Sequence, residues 1–316
     1  MKITPEITQK LEQLAEKYEA MGQDMLSYLD GLLYADYLTY WDYIQLDVLL
    51  NLQTPITPFE DEIIFLTYHQ ITELYFKLIL HAIYLIADDL DLNPQAFILQ
   101  LKRINTYFDQ LIGSFDVMIN GMDKDQFLKF RMSLLPASGF QSAQFRMIEI
   151  CSTNIENLIH VSARQQLLKS EDLQEKYEYL YWKRGATELA TGKKTLTLRQ
   201  FEKKYGKQFI SLIRNFYHKN LWERYRQLSE EDQKNESLIQ ELRAFDVKAN
   251  VSWPLAHFRS AARYLQRDTA DIAATGGTNW QEYLPPKNQL ITFFPDLWTE
   301  EERNDWGKRS KLVGDE

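Results

Sequence analysis

From Thr57 to about Ala87 the apolar residues keep helical spacing without a break, and a chain that does this has few folds open to it. The run opens on Thr57-Pro58-Phe59-Glu60, which reads as a capping box with proline at the first helical position. Asn93-Pro94 marks a second start, and Ile98, Leu101, Ile104, Phe108 and Leu111 continue it at helical spacing. Ile7, Leu11, Leu14 and Tyr18 form a third stripe. Thr197 with Gln200, and Thr299 with Glu302, are further box-like starts. Alternating β-branched patterns with hairpin turns are nearly absent, and only 12 glycines occur. These features predict an all-α fold with long central helices and helical additions, in one domain over 1–316. No Pro/Gly/Ser-rich linker and no internal repeat divides it. Ser229 to Glu241 reads as a solvated loop or helix end. Tyr177 to Lys204 reads as a surface insertion, inside a variable helical stretch from about 170 to 245. The charged tail after Trp306 reads as loose.

The 316 residues are 45% hydrophobic, enough for a substantial core. The net charge of -9 removes any general electrostatic case for nucleic acid or an anionic membrane. The single cysteine, Cys151, excludes an intrachain disulfide framework and fits a reducing cytosol. The N-terminal segment has no apolar signal core, so a cytoplasmic location is expected. No apolar run reaches membrane-span length, since Lys77 and His81 interrupt the longest, Leu74 to Ile86. Aromatic residues are abundant (18 Tyr, 17 Phe, 7 Trp) and suit either an aromatic core or a pocket for a flat ligand.

The five histidines, His69, His81, His160, His218 and His257, make no HExxH pattern, and none follows a Glu by three positions. There is no CxxCH, so a haem would be held without a thioether link. Phosphate loops and nucleophile elbows are also missing. His257 lies in SWPLAHFRSAARYLQR, where Ser252 can cap, Pro254 can start a helix, and His257, Ala261 and Tyr264 share a face. Small alanines beside a histidine leave room for a flat partner, as a proximal haem ligand needs. The alternative is a helix histidine satisfied by a backbone carbonyl. Phe65 and His69, and likewise Phe127 and Arg131, lie four apart and share a helical face. Arg131 sits among Phe127, Phe130, Leu134 and Leu135 and needs an anion there: a ligand carboxylate, or a core residue such as Glu149. Ala274-Thr275-Gly276-Gly277-Thr278 could bring backbone N–H groups close to a ligand, or could be only a turn.

Taken together, these segments resemble the tryptophan 2,3-dioxygenase family, in order and across most of the chain. Tyr40-Trp41-Asp42-Tyr43-Ile44-Gln45-Leu46-Asp47 resembles its Y-x-x-Y-L-x-L-D segment, and FLTYHQITELYFKL its histidine-bearing helix. FRMSLLPASGFQSAQFRMIE is similar to its substrate-carboxylate segment. Trp253-Pro254-Leu255-Ala256-His257 resembles its W-x-x-x-H segment, Ala274-Thr275-Gly276-Gly277 its G-T-G-G loop, and Phe294-Pro295-Asp296-Leu297-Trp298 a segment that follows the loop. The resemblance implies a long-helix bundle assembled as a homotetramer, a dimer of dimers. It implies haem b, ferrous when active, with His257 as proximal ligand. It implies that His69 hydrogen-bonds the indole N–H, that Phe65 lines the indole pocket, and that Arg131 clamps the carboxylate of L-tryptophan with Phe127 packing beside it. Thr275 would contact the amino-acid end, and Tyr40, Tyr43 and Ile44 would reach a neighbouring subunit's pocket from an N-terminal region of about 55 residues. The implied reaction adds both atoms of O₂ across the indole C2–C3 bond to give N-formyl-L-kynurenine.

The sequence departs from the family pattern at Ile71, Tyr75, Leu135 and Thr278-Asn279-Trp280. These positions keep open an enzyme of the same superfamily acting on a different indole or aromatic amino acid. A haem-binding sensor or carrier without turnover is the reading from another class, and Arg131 argues against it, since a carrier needs no carboxylate clamp.

Overall fold

The computed structural model describes residues 3–34, 39–134, 139–187, 193–265 and 285–308. The chain divides into two compact units, Met1–Thr54 and Pro55–Glu316. In the first, Thr4 caps α1 (Pro5–Ala20), which pairs with α2 (Met25–Tyr34) through Tyr18 and Tyr28, ring centroids 4.4 Å apart. Two single turns follow, Tyr40–Tyr43 and Leu46–Leu49, separated by Gln45 in the left-handed region (φ 52°). The expected α1 stripe is helical, yet no residue of these helices is buried. Leu32, Leu33, Tyr34, Tyr40 and Tyr43 are each more than two-thirds exposed.

The second unit is built on two long helices, α3 (Glu62–Asp88) and α4 (Pro94–Asn120), which a short turn folds back on each other. Phe76, Ile79, Ile83 and Ile86 of α3, and Phe97, Leu101, Ile104, Phe108 and Leu111 of α4, belong to one buried core. Each such side chain contributes roughly 1.5–3 kcal/mol on leaving water. Asn93 caps α4 by accepting from the Ala96 amide, and Pro94 takes the first helical position, as the sequence predicts. The α3 start differs. Thr57 caps no helix; instead the buried Glu62 carboxylate accepts from the Ile56 and Thr57 amides at 2.8 and 2.7 Å, so the helix begins only at Glu62. By length and composition α3 could cross a membrane, but 44% of its most apolar window is buried against the rest of the unit.

The short α5 (Lys124–Phe130) is moored to the start of α3: the Asp123 amide donates to Asp61 at 2.6 Å and the Asp61 amide to Gln126 at 3.0 Å. Helix α6 (Ala143–Ser152) packs on α3 and on α7 (Leu196–Phe216). Helices α8 (Glu236–Val247) and α9 (Trp253–Leu265) both lie against α4. Among the described residues there is no strand, only two isolated bridges. The region from Tyr177 to Lys204 is not a surface insertion. Tyr177, Trp182, Leu198 and Phe201 are buried in the main core, and the Lys183 ammonium contacts Glu202 at 2.7 Å. Its lysines gave a surface reading, whereas the aromatic residues between them decide the packing. Thr195, not Thr197, caps α7. Ser229 to Glu241 is a helical turn and the start of α8, with Leu238 fully buried. The Thr299–Glu302 capping box forms as expected.

Candidate functional site

Helix α3 presents His69 toward a second, smaller cluster that includes Tyr68, Phe115, Phe130, Ala256 and Tyr264, with Phe65 and Phe127 packed against it. Because Phe65 precedes His69 by about one turn, its carbonyl is within reach, and His69 Nδ1 lies 2.7 Å from that oxygen. A carbonyl only accepts, so Nδ1 carries the proton and Nε2 keeps its lone pair. The Phe65 and His69 rings lie 4.1 Å apart at 34°, and Tyr68 meets His69 edge-on at 5.5 Å. The imidazole is enclosed deeply enough for desolvation to lower its pKa, yet its surface stays exposed.

His257, half-buried on α9, meets the same cluster from the other side. Its ring stacks on Phe115 at 6.0 Å and 21°. Burial, with a smaller contribution from His69, pushes its pKa down to about 4. The two imidazoles are therefore close enough for a charge on one to oppose a charge on the other, and His257 is neutral at physiological pH. Neither of its ring nitrogens hydrogen-bonds to another described residue. This removes the backbone-carbonyl alternative left open by the sequence. An enclosed, neutral imidazole with an unused lone pair, beside a buried Ala256 and a half-buried Ala261, fits a proximal haem ligand. Among the described residues no group of three His, Cys, Asp or Glu side chains could hold a bare metal ion.

Arg131 follows Phe130 in the 3-10 turn Arg131–Leu134, and Phe130 touches both Phe65 and Phe127. It is 4% exposed, and desolvation lowers the pKa of its guanidinium. Glu149 is already engaged: Arg146 pairs with it at 3.1 Å and the Tyr181 hydroxyl donates to it. Glu149, the core partner that the sequence offered for Arg131, is thus engaged by Arg146 and Tyr181.

The structure brings Phe65, His69, Phe127 and His257 to one cluster, and Arg131 directly follows Phe130 of that cluster in the chain. Tyr40, Tyr43 and Ile44 belong to the N-terminal unit, where both tyrosines are exposed and Ile44 is half-buried. Thr275, its glycine loop, Leu135 and Thr278-Asn279-Trp280 lie outside the described residues. Two contributors went unread in the sequence. Phe115 extends the α4 stripe by one more helical step, and Trp253 lies 4.7 Å from it. The periodicity of α4 could have identified the first.

A family model described as tryptophan 2,3-dioxygenase matches residues 32–277. A tryptophan 2,3-dioxygenase of Herpetosiphon aurantiacus is 46% identical over 110 residues, 34% of this chain and 42% of that protein. One from Bacillus cereus is 39% identical over 108 residues, 34% of this chain and 38% of that protein. A tryptophan 2,3-dioxygenase of Bradyrhizobium sp. is 30% identical over 272 residues, 81% of this chain and 89% of that protein. The matched segment therefore spans less than half of the first two relatives and most of the third.

Proposed function

Because the chain belongs to the tryptophan 2,3-dioxygenase family, we propose that it is a haem b dioxygenase that adds both atoms of O₂ across the C2–C3 bond of L-tryptophan. The product is N-formyl-L-kynurenine, and no external reductant is consumed. Held by His257, ferrous haem supplies O₂ binding and activation. Everything else falls to the chain. His69 Nε2, its proton held on Nδ1 by the Phe65 carbonyl, accepts the indole N–H. An indole N–H is a very weak acid, so His69 orients the substrate rather than deprotonating it. Phe65 and Phe127, packed on each other with ring centroids 6.0 Å apart, give the flat ring an apolar wall and exclude water. Arg131 pairs with the substrate carboxylate, and Thr275 contacts the same end. Anchoring both ends of a rigid amino acid fixes which indole edge meets the oxygen, which is the main contribution a protein can make to such a reaction.

The observation that carries this reading is the state of His257: enclosed, neutral, and without a hydrogen-bond partner among the described residues, within electrostatic reach of a second neutral imidazole. We place the enzyme in the cytoplasm as a homotetramer, a dimer of dimers, with Tyr40, Tyr43 and Ile44 of one subunit entering a neighbour's pocket. The uncovered apolar faces of the N-terminal unit support that assembly. The test is to reduce the haem-loaded protein anaerobically, add L-tryptophan, admit O₂, and follow absorbance. Formylkynurenine should accumulate over many turnovers. A protein with an intact haem spectrum that leaves tryptophan untouched would overturn the reading.

A further inference from the structure

Between α8 and α9 the chain does not stop and restart, as Ser252 and Pro254 suggest. It runs on through a π-helical turn, Lys248–Ser252, in which the Trp253 amide donates to the Lys248 carbonyl five residues back. Such a turn absorbs one extra residue into a helix and rotates everything after it. The rotation decides where His257 points. On α8, Phe245 meets Phe108 of α4 at 5.7 Å. On α9, Trp253 and His257 meet Phe115, two turns further along α4, at 4.7 and 6.0 Å, and the Tyr264 hydroxyl donates to the Met118 carbonyl. Phe245 and His257 thus share the face turned to α4. At about 100° per residue, an unbroken α-helix would place His257 about 120° round from Phe245; with one residue absorbed, the offset falls to about 20°.

The turn is pinned from two sides. Lys248 Nζ donates to Asp109 at 2.7 Å and to the Asn105 carbonyl at 3.2 Å, tying it to α4. On the opposite side the fully buried Asp246 accepts four hydrogen bonds. Asn250 Nδ2 and the Phe293 amide reach Oδ1 at 2.7 and 2.8 Å; the Phe294 amide and Trp298 Nε1 reach Oδ2 at 3.1 and 2.9 Å. One carboxylate on the last turn of α8 therefore joins a residue within the π turn and the segment packed outside it.

We infer that Asp246 is a positioning residue for His257: by holding the π turn open, it sets the rotation that aims the imidazole at Phe115 and the aromatic cluster around it. This rests on the reading of His257 as haem ligand, and the test separates the two. Asp246→Ala should let the turn relax to an α-helix and swing His257 away. Haem affinity should fall by about tenfold or more, the scale of a lost supporting shell, and the histidine-ligated ferrous spectrum should weaken. Deleting Asn250 in the Asp246→Ala background removes the surplus residue and should restore the spectrum, which a merely structural role for Asp246 would not allow. Asp246→Asn, which keeps the shape, serves if the alanine variant fails to fold, and should shift the spectrum in the same direction. An independent readout uses the full-length haem-free chain: NMR of labelled histidine should show the ring-current displacement of His257 by Phe115 lost in Asp246→Ala and regained in the deletion. Unmoved histidine resonances, or a deletion that restores nothing, would overturn the inference. Resonances that move as described in a protein that never ligates haem through His257 would overturn the haem reading and leave this one standing.

Discussion

The two histidines of the site sit on helices built in opposite ways. Helix α3 is unbroken over 27 residues, and its own backbone ties down His69 through the Phe65 carbonyl. The α8–α9 rod contains a π turn, and His257, just over one turn beyond it, has no hydrogen-bond partner among the described residues. A tied imidazole offers one fixed lone pair and suits orienting a substrate. An untied, neutral imidazole keeps a lone pair to offer, which is what the proposed role of His257 as haem ligand requires. The regular helix needs nothing beyond its own pitch to aim its histidine, whereas the irregular one depends on residues elsewhere in the chain.

The sharpest way to break this contrast is His257→Ala. It should abolish histidine ligation and most haem retention; a variant that keeps a five-coordinate histidine spectrum would mean another residue holds the iron. Next is Arg131→Ala, which removes a buried charge-assisted contact worth roughly 1.5–3 kcal/mol. KM for tryptophan should rise by one to two orders of magnitude while the haem spectrum stays unchanged. An unaltered KM would move the carboxylate clamp elsewhere.

The irregular rod also predicts a pH signature. Burial raises the Asp246 carboxyl from 3.8 to about 6, its hydrogen bonds offsetting only part of the desolvation. The folded state therefore binds this proton more tightly than the unfolded one. That contribution to stability is present below about pH 4 and is lost as pH rises through about 6. Asp246→Asn removes the titration, so between pH 4 and 6 the wild type should lose stability relative to the variant as pH increases, by the order of 1 kcal/mol or somewhat more. Parallel melting curves across that range would refute the burial argument. On the regular helix the effect is smaller still. His69→Ala deletes one neutral hydrogen bond to substrate, about 0.5–1.5 kcal/mol, and should lower kcat/KM by up to about tenfold with haem retained. A complete loss of turnover would make His69 an obligatory proton carrier.

The same contrast explains what could be read from the sequence. The regular elements were legible because a 3.6-residue period is written locally: α4, its Asn93 cap and the pairing of Phe65 with His69 all follow from spacing. The π turn was not, since its effect on phase appears only when Phe245 and His257 are seen against Phe108 and Phe115 of another helix. Lysines between Tyr177 and Lys204 concealed a buried aromatic layer for a related reason: local composition says nothing of which faces meet. That Arg146 and Tyr181 engage Glu149 could not be read from spacing either, since Tyr181 lies 32 residues along the chain from it.

The regular helix makes one last demand. Ile71 stands where the family pattern has threonine, a difference that points toward a changed substrate. Yet it lies two residues from His69, about 200° round an unbroken helix, and is 46% exposed. A side chain on that face cannot share a pocket with His69 without bending α3, and α3 carries no break. Exposed substitutions away from such a site stay within about 0.5 kcal/mol, so Ile71→Thr should change kcat and KM for tryptophan by no more than about twofold. A larger change, or a new preference among substituted indoles, would place Ile71 in the pocket. It would also mean that α3 is not the straight rod on which the aim of His69 depends.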